Sequence, residues 1–276
     1  MIVAVGSDKG SPGATTLATA LGLVWPGDRL LCELDPRGAD LPFRLMGAND
    51  QHMGAVPSLA TLAIDARPGA AMPQLARYAQ QTALGVPVIR GEVSTRAASK
   101  VAPHLPAIAT LASSWPGAVI ADLGSLQSGN PALVVAKSAS IVLLVMRAST
   151  EGLGHLRDRV DELAAYVGDP SRDWTSVGVV LVAGPREETA VVQRTRGLLD
   201  SVGSPAPVVG VFQHDPAAAA ALWAGPLSKR ITKGPLVRSA EKLVSSMWKL
   251  WPQVLSATSY QPPAASSHHG VAAGRQ

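Results

Sequence analysis

The sequence predicts an α/β fold with a single doubly wound, mainly parallel sheet of about seven strands flanked by helices. Short apolar runs rich in β-branched residues alternate with Ala- and Leu-rich segments that have helical spacing. The runs are apolar on both faces, as are the strands of a parallel sheet that helices cover on both sides. Ligands of such sheets bind at the carboxyl ends of the strands. We therefore look for functional residues in the loops that follow strands.

The predicted elements follow one another in β-α order along the chain. Strands are predicted at 2–5, 29–34, 86–90, 118–122, 141–146, 177–182 and 207–212. Helices are predicted at 15–24, 97–113, 151–167, 189–200 and 217–224, with a last helix within 235–255. Residues 42–85 form the longest connection, where we expect two short helices broken at 67–69.

Length and composition favour one domain over residues 1–255, followed by a disordered Ser/Pro/Gly-rich tail at 256–276. The apolar runs are far shorter than the roughly 18 residues of a membrane-spanning helix, so no transmembrane segment is predicted. The first residues do not resemble a secretion signal, and Cys32 is the only cysteine, so we expect a cytoplasmic protein. A net charge of +4 permits contact with nucleic acid or an anionic membrane without requiring it.

The first strand is followed by the stretch GSDKGSPGATT and then by a helix. This is the context of a phosphate-binding loop, in which backbone amides and a helix N-terminus surround an anion. In such a loop the Thr15 hydroxyl would reach a Mg²⁺ ion. The alternative is an ordinary Gly/Ser/Pro turn between a strand and a helix.

Two further stretches favour the phosphate-binding interpretation, because LLCELDPRGADL and AVIADLGSLQSG each place a carboxylate at the end of an apolar strand. Together with the loop, they resemble the ParA/MinD family of deviant Walker-A ATPases. The loop matches at Lys9, Gly10, Gly13, Thr15 and Thr16, and Lys9 falls on the family's signature lysine. The second motif matches at Glu33, Asp35, Pro36 and Gly38, the third at Asp122 and Gly124, and Asp215 falls on an Asp near the nucleotide base.

The resemblance implies a homodimer that binds ATP and Mg²⁺. In such a dimer Lys9 reaches the partner's phosphates, and Asp35 orients the attacking water, so these two are the candidate catalytic residues. Thr15, Asp35 and Asp122 are the candidate Mg²⁺ ligands. The candidate nucleotide-binding positions are Lys9, Gly10, Ser11, Gly13, Ala14, Thr15, Thr16 and Asp215.

The sequence differs from the family at positions that contact the nucleotide or lie beside it. Ala14 replaces the lysine that would contact the β- and γ-phosphates, Ser11 replaces a glycine, and Asp8 adds a carboxylate beside the loop. A charged hydrogen bond contributes about 1.5 to 3 kcal/mol, so its loss weakens binding about tenfold to over a hundredfold. The family's Asn that reads adenine is also absent, since Val182 and Ala183 stand there. We expect weak ATP binding and slow or absent hydrolysis.

Three functions follow from these observations as hypotheses. The first is an ATP-dependent dimeric switch in chromosome or cargo partitioning or in positioning of the cell-division site. The second is a pseudo-ATPase that serves as a scaffold for a septal, secretion or DNA-associated partner without turnover. The third is a metabolic ligase of the dethiobiotin-synthetase type, which the lack of a substrate-specific constellation disfavours.

Several residues have two interpretations. Lys229, Arg230, Lys233 and Arg238 form either a patch for non-specific DNA or a solvated surface. The apolar stripe of 236–251 either packs on the domain, which we favour, or contacts a membrane peripherally. Arg37 either lies on the surface or leans toward phosphate. Cys32 is expected in the core and not as a nucleophile.

Overall fold

A computed structural model describes residues 1–8, 12–66, 74–167, 176–223 and 228–256 of the chain. These residues form an eight-stranded sheet with the order β3-β4-β2-β5-β1-β6-β7-β8. The pairs are parallel except β3 with β4, which is antiparallel. The strands are β1 (Ile2–Ser7), β2 (Arg29–Glu33), β3 (Gln80–Gln81), β4 (Pro87–Ile89), β5 (Ala118–Ser125), β6 (Ile141–Arg147), β7 (Ser176–Ala183) and β8 (Val208–Gln213).

Helices connect the parallel strands. They are α1 (Ala14–Val24), α2 (Leu41–Arg44), α3 (Leu59–Asp65), α4 (Thr95–Val101), α5 (Leu105–Ser114), α6 (Leu133–Ser138), α7 (Thr150–Val167), α8 (Glu188–Ser201), α9 (Pro216–Trp223), α10 (Lys229–Thr232), α11 (Pro235–Leu250) and α12 (Pro252–Ser256). Two 3₁₀ turns lie at Leu75–Tyr78 and Ala102–His104. None of the helices in the described ranges has both the length and the apolar character needed to cross a membrane.

The predicted fold class is confirmed, and each of the seven predicted strands is present with small differences at its ends. The additional strand, β3, was missed because it consists of two glutamines and has no apolar run. The predicted helix 97–113 is divided into α4, a 3₁₀ turn and α5, because Pro103 and Pro106 lack the amide hydrogens that a continuous helix needs. The predicted break at 67–69 and the predicted tail beyond Ser256 lie outside the described residues.

Two apolar layers cover the two faces of the sheet. One contains side chains from α3, α5, α6, α7 and α8. The other contains side chains from α1, α9, α11 and α12. The predicted stripe of the last helix faces this second layer, since Leu236, Ala240, Leu243 and Met247 are buried there. The packing interpretation of that stripe is therefore confirmed, and the stripe is not free to contact a membrane.

Candidate functional site

The residue immediately before α1 has a backbone conformation that suits an anion-binding loop. Gly13 has φ 101, a left-handed conformation that glycine adopts without steric cost, and α1 starts at the next residue. Within the described part of the chain, no side chain caps the N-terminus of α1. The amides of its first turn therefore suit an anionic ligand. Lys9, Gly10 and Ser11 lie outside the described residues, so their predicted roles stay predictions.

Thr15 and Asp122 meet beside this loop because β5 pairs with β1, which leads into α1. The Asp122 side chain is completely buried, and its Oδ1 accepts a hydrogen bond of 3.0 Å from the Gly124 amide. Burial raises the pKa of Asp122 to about 6, although the Thr15 hydroxyl and the Gly124 amide act in the opposite direction. Among the described residues Asp122 Oδ2 has no hydrogen-bond partner. A buried carboxylate oxygen without a partner is a natural position for a cation.

Asp35 lies directly against the backbone of Gly124. A Cβ atom on Gly124 would lie 2.0 Å from Asp35 Oδ2, and Gly124 has φ +64. Any larger residue at position 124 would therefore displace Asp35. The contact joins the glycine of the third motif to the Asp35 carboxylate of the second motif.

Asp35 is bound to Arg37 in two ways. The Arg37 backbone amide donates to Asp35 Oδ1 at 2.9 Å, and its guanidinium donates to both carboxylate oxygens, at 3.1 and 2.8 Å. The hydrogen bond with Asp35 raises the pKa of Arg37. The Arg37 side chain is 59% exposed and that of Asp35 is 15% exposed. Arg37 is therefore exposed, as the surface interpretation predicts, and its predicted contact with phosphate stays a prediction.

Glu33 anchors the backbone around the site. Its Oε1 accepts hydrogen bonds from the amides of Asp40 and Leu41 at 2.7 and 2.9 Å, and its Oε2 accepts one from Gly91 at 3.1 Å. The side chain is buried, and burial raises its pKa to about 7. Glu33 therefore joins the segment after β2 to the segment after β4. The sequence placed Glu33 in the second motif as a charged residue at the end of an apolar strand, but it did not indicate this anchoring role.

Asp8 is neutralised by a residue from another part of the chain. Arg159 of α7 forms an ion pair with Asp8 at 2.5 Å and a second one with Glu162 at 2.7 Å. The side chains of Asp8 and Arg159 are only 13% and 22% exposed. No sequence motif indicates this contact, because the two residues come from distant segments.

The base of a bound nucleotide would lie at the carboxyl ends of β7 and β8. The polar side chains there bond to one another or to nearby backbone. Asp215 Oδ1 accepts a hydrogen bond of 2.9 Å from the Ala218 amide, so it caps α9. The Gln213 side chain donates to Glu188 at 3.4 Å, and Glu187 accepts from the Gly184 amide at 3.2 Å. The predicted contact of Asp215 with a base stays a prediction. Gln213, Glu187 and Glu188 are further polar side chains here that the sequence analysis did not single out.

Cys32 takes no part in this chemistry. It is buried inside β2, and burial, followed by the charges of Glu33 and Asp122, raises the pKa of its thiol to about 12. A thiol with such a pKa is not a nucleophile at neutral pH. The expectation that Cys32 belongs to the core is confirmed.

The residues present fit a Mg²⁺ ion that is shared with phosphates. Within the described ranges no group of three or more His, Cys, Asp or Glu side chains could enclose a metal. Mg²⁺ at phosphate sites does not need such a group, because it is bound through one or two protein oxygens together with phosphate oxygens and water. The Thr15 hydroxyl and the partnerless oxygen of Asp122 meet that requirement.

The sheet order, the left-handed glycine before α1 and the two acids at the ends of β2 and β5 define the fold of a P-loop NTPase. Comparison with solved structures makes this more specific. A ParA family ATPase from Chlorobium tepidum TLS has a TM-score of 0.66 and 15% identity, covering 90% of this chain and 97% of that chain. The cell division ATPase MinD from Pyrococcus furiosus has a TM-score of 0.63 and 21% identity, covering 90% and 98%.

A third similar structure contains a nucleotide. It is the septum site-determining protein MinD from Pyrococcus horikoshii OT3 in complex with Mg-ADP, with a TM-score of 0.65 and 19% identity, covering 92% of this chain and 98% of that chain. No protein-family model matches the sequence, and no curated protein matches it. The chain therefore has the ParA/MinD-like fold over about nine tenths of its length.

Proposed function

We propose that this protein is a ParA/MinD-like switch that binds ATP with Mg²⁺, dimerises when it does so, and hydrolyses the nucleotide slowly. Its role would be chromosome or cargo partitioning or positioning of the cell-division site, carried out in the cytoplasm. The observation that carries the proposal is the convergence of Thr15, Asp35, Asp122 and Gly124 beside the loop that leads into α1. Three structures of this fold are a ParA family ATPase and two MinD proteins, one of them bound to Mg-ADP.

Each residue of the site has a defined task in this proposal. The amides that follow Gly13 bind phosphate oxygens, and the side chains of Thr15 and Asp122 hold Mg²⁺, whose charge offsets that of the phosphates. Asp35 orients the attacking water, and Lys9 of a second copy approaches the phosphates from across a homodimer. Thr16 and Asp215 complete the nucleotide contacts at the loop and near the base.

Two features support slow hydrolysis. Ala14 supplies no positive charge, and it is only 6% exposed among core residues of α1. Both oxygens of Asp35 accept hydrogen bonds from Arg37, so the carboxylate is held by Arg37 and has fewer acceptor sites for the attacking water. Phosphoryl transfer depends mainly on positioning and on neutralisation of the developing charge, and both are weakened here.

The first experiment is calorimetric titration of Mg-ATP into the purified protein, combined with light scattering to measure the mass of the complex. We expect weak binding that is accompanied by dimerisation, tighter binding in Ala14→Lys, and loss of dimerisation in Lys9→Ala. Thermal unfolding of Ala14→Lys is the control, because a lysine placed at a buried position can overpack the core. No binding up to millimolar ATP, or a mass independent of nucleotide, would refute the proposal.

The second candidate is the pseudo-ATPase scaffold, which the Arg37–Asp35 pair favours. If Arg37 never leaves Asp35, the chain binds a protein partner without turnover. Phosphate release measured with wild type and Asp35→Ala separates the two candidates. Mg²⁺-dependent release that Asp35→Ala abolishes would eliminate the scaffold, whereas equal rates in the two proteins would favour it.

The proposal includes a surface that binds DNA. Lys229, Lys233 and Arg238 are exposed on α10, the following turn and α11. A set of exposed cations binds the phosphates of DNA without regard to base sequence, and the affinity falls as salt increases. A gel-shift titration at two salt concentrations tests this, with Lys229→Ala/Lys233→Ala as the variant that should lose binding.

A further inference from the structure

We propose that Arg37 supplies the positive charge that Ala14 does not: its guanidinium leaves Asp35 and binds the phosphate oxygens of an incoming nucleoside triphosphate. This inference rests on the proposed function, because it concerns the same site. The exchange has two effects at once. It neutralises phosphate charge, and it frees the carboxylate of Asp35.

The site has an excess of negative charge that requires a cation. Asp35 and Asp122 lie beside the loop, and a triphosphate would add several further negative charges. Arg37 interacts electrostatically with Asp35, Asp122 and Asp40, which places its guanidinium within the field of all three carboxylates. Arg37 is therefore positioned to neutralise an anion that approaches this edge of the sheet.

The backbone of Arg37 is fixed while its side chain is free to move. Its amide is bound to Asp35, and its carbonyl accepts a hydrogen bond of 3.1 Å from the Thr95 hydroxyl. The next residue, Gly38, has φ +122 and approaches Val93 so closely that a Cβ atom would lie 2.7 Å from the Val93 carbonyl oxygen. The side chain, by contrast, is 59% exposed. A fixed backbone with an exposed side chain allows the guanidinium to change partners without local unfolding.

The chemistry of the exchange is favourable because carboxylate and phosphate present similar pairs of oxygens to a guanidinium. Arginine binds either anion through two parallel hydrogen bonds. A triphosphate carries more negative charge than the single carboxylate of Asp35, so it competes with Asp35 for the guanidinium although Arg37 binds both carboxylate oxygens.

Two other arginines near the site are less suited to this role. Arg159 is mostly buried and is bound to both Asp8 and Glu162. Arg44 forms an ion pair with Asp40 at 2.6 Å, and its guanidinium lies over the Trp223 ring at 5.4 Å from the centroid. Like Arg37, Arg44 forms an ion pair with an aspartate a few residues before it in the sequence, and Arg44 lies on α2. Arg44 is therefore the matched control.

The test is calorimetric titration of Mg-ATP into wild type, Arg37→Ala, Arg37→Lys and Arg44→Ala, with the fold of each checked by circular dichroism. We expect Arg37→Ala to bind about tenfold to a hundredfold more weakly, as loss of a charged hydrogen bond predicts. Arg37→Lys should recover part of the affinity, and Arg44→Ala should bind as wild type does.

A second measurement follows the guanidinium itself by NMR of the arginine Nε–H groups. The resonance that disappears in Arg37→Lys identifies Arg37, and we expect it to shift with Mg-ATP but not with adenosine. If wild type binds Mg-ATP but Arg37→Ala binds equally well, the inference is wrong while the proposed function stands. If wild type does not bind Mg-ATP at all, the proposed function fails, and the inference fails with it.

Discussion

The phosphate half of the site and the base half differ in how their polar groups are used. In the phosphate half, at the ends of β1, β2 and β5, Asp122 has an oxygen that no described residue partners, and Gly124 lies tightly against Asp35. In the base half, at the ends of β7 and β8, Asp215 caps a helix and Gln213 bonds to Glu188. The difference is that the phosphate half contains a buried carboxylate oxygen for which the described residues supply no partner, whereas the polar side chains of the base half bond to one another or to nearby backbone.

The largest expected effect is a pH dependence of stability that arises in the phosphate half. Burial raises the pKa of Glu33 from 4.5 to about 7 and that of Asp122 from 3.8 to about 6. The folded state then binds protons more tightly than the unfolded chain, so the free energy of unfolding falls as pH rises from about 4 to about 7. One pKa unit corresponds to about 1.4 kcal/mol, so Glu33 alone contributes a loss of about 3 kcal/mol.

Urea denaturation of the nucleotide-free protein at a series of pH values measures this loss. The control is Glu33→Gln, which does not titrate and should therefore show a flatter dependence between pH 5 and pH 7 than wild type. If the free energy of unfolding depended on pH equally in the two proteins, Glu33 would not titrate in this range. The phosphate half would then not be the source of the pH dependence through Glu33.

The next effect concerns the contact between Gly124 and Asp35. Gly124→Ala introduces a Cβ that overlaps Asp35 Oδ2, and we expect a loss of about 2 kcal/mol or more in stability together with loss of Mg-ATP binding. Gly129→Ala is the matched control, since Gly129 also has a positive φ of +84 but no atom lies within 4 Å of an added Cβ. Thermal unfolding and calorimetry of both variants separate backbone strain from displacement of Asp35. A similar result for the two variants would contradict the role given to the contact.

A smaller effect is expected in the base half. Asp215→Ala removes the cap of α9 and should lower stability by about 1 kcal/mol, whereas Asp215→Asn keeps a capping side chain and should not. Because the proposed function places Asp215 near the base, we expect Asp215→Asn to bind Mg-ATP more weakly than wild type and to bind Mg-GTP as wild type does. Equal binding of Mg-ATP by the two proteins would show that Asp215 only caps α9.

The smallest effect is expected for the ion pair between Asp8 and Arg159. Arg159→Ala leaves the mostly buried Asp8 charge beside the loop without its partner, and we expect Mg-ATP affinity to fall by no more than about fivefold, because Asp8 acts on the phosphates only through its charge. Asp8→Asn combined with Arg159→Ala should restore the affinity, since no uncompensated charge is left. A calorimetric double-mutant cycle measures the coupling, and a cycle without coupling would show that Arg159 does not neutralise Asp8.

The sequence was sufficient for the parts of the fold and site that depend on local pattern. Apolar runs located the long strands, and strands that end in Asp or Glu located Asp35 and Asp122 at one edge, because parallel strands share their direction. Partners that come from distant segments were not accessible in this way. The anchoring of Gly91 by Glu33 and of Asp8 by Arg159 depends on the packed arrangement of β4 and α7, which no local pattern specifies. Arg37 lies within the second motif, yet side-chain geometry decides whether its guanidinium contacts solvent, a carboxylate or a phosphate.

The position of α11 has a practical consequence for microscopy. A Cβ on Gly178, near the start of β7, would lie 2.7 Å from the Trp251 ring, so the end of α11 is at the amino-terminal edge of the sheet. The loop before α1 lies at the opposite edge, a strand length away, or roughly 25 Å for eight residues. A fluorescent protein attached directly after Ser256 would therefore start near the edge opposite that loop, and such a fusion is suited to tracking the protein in living cells.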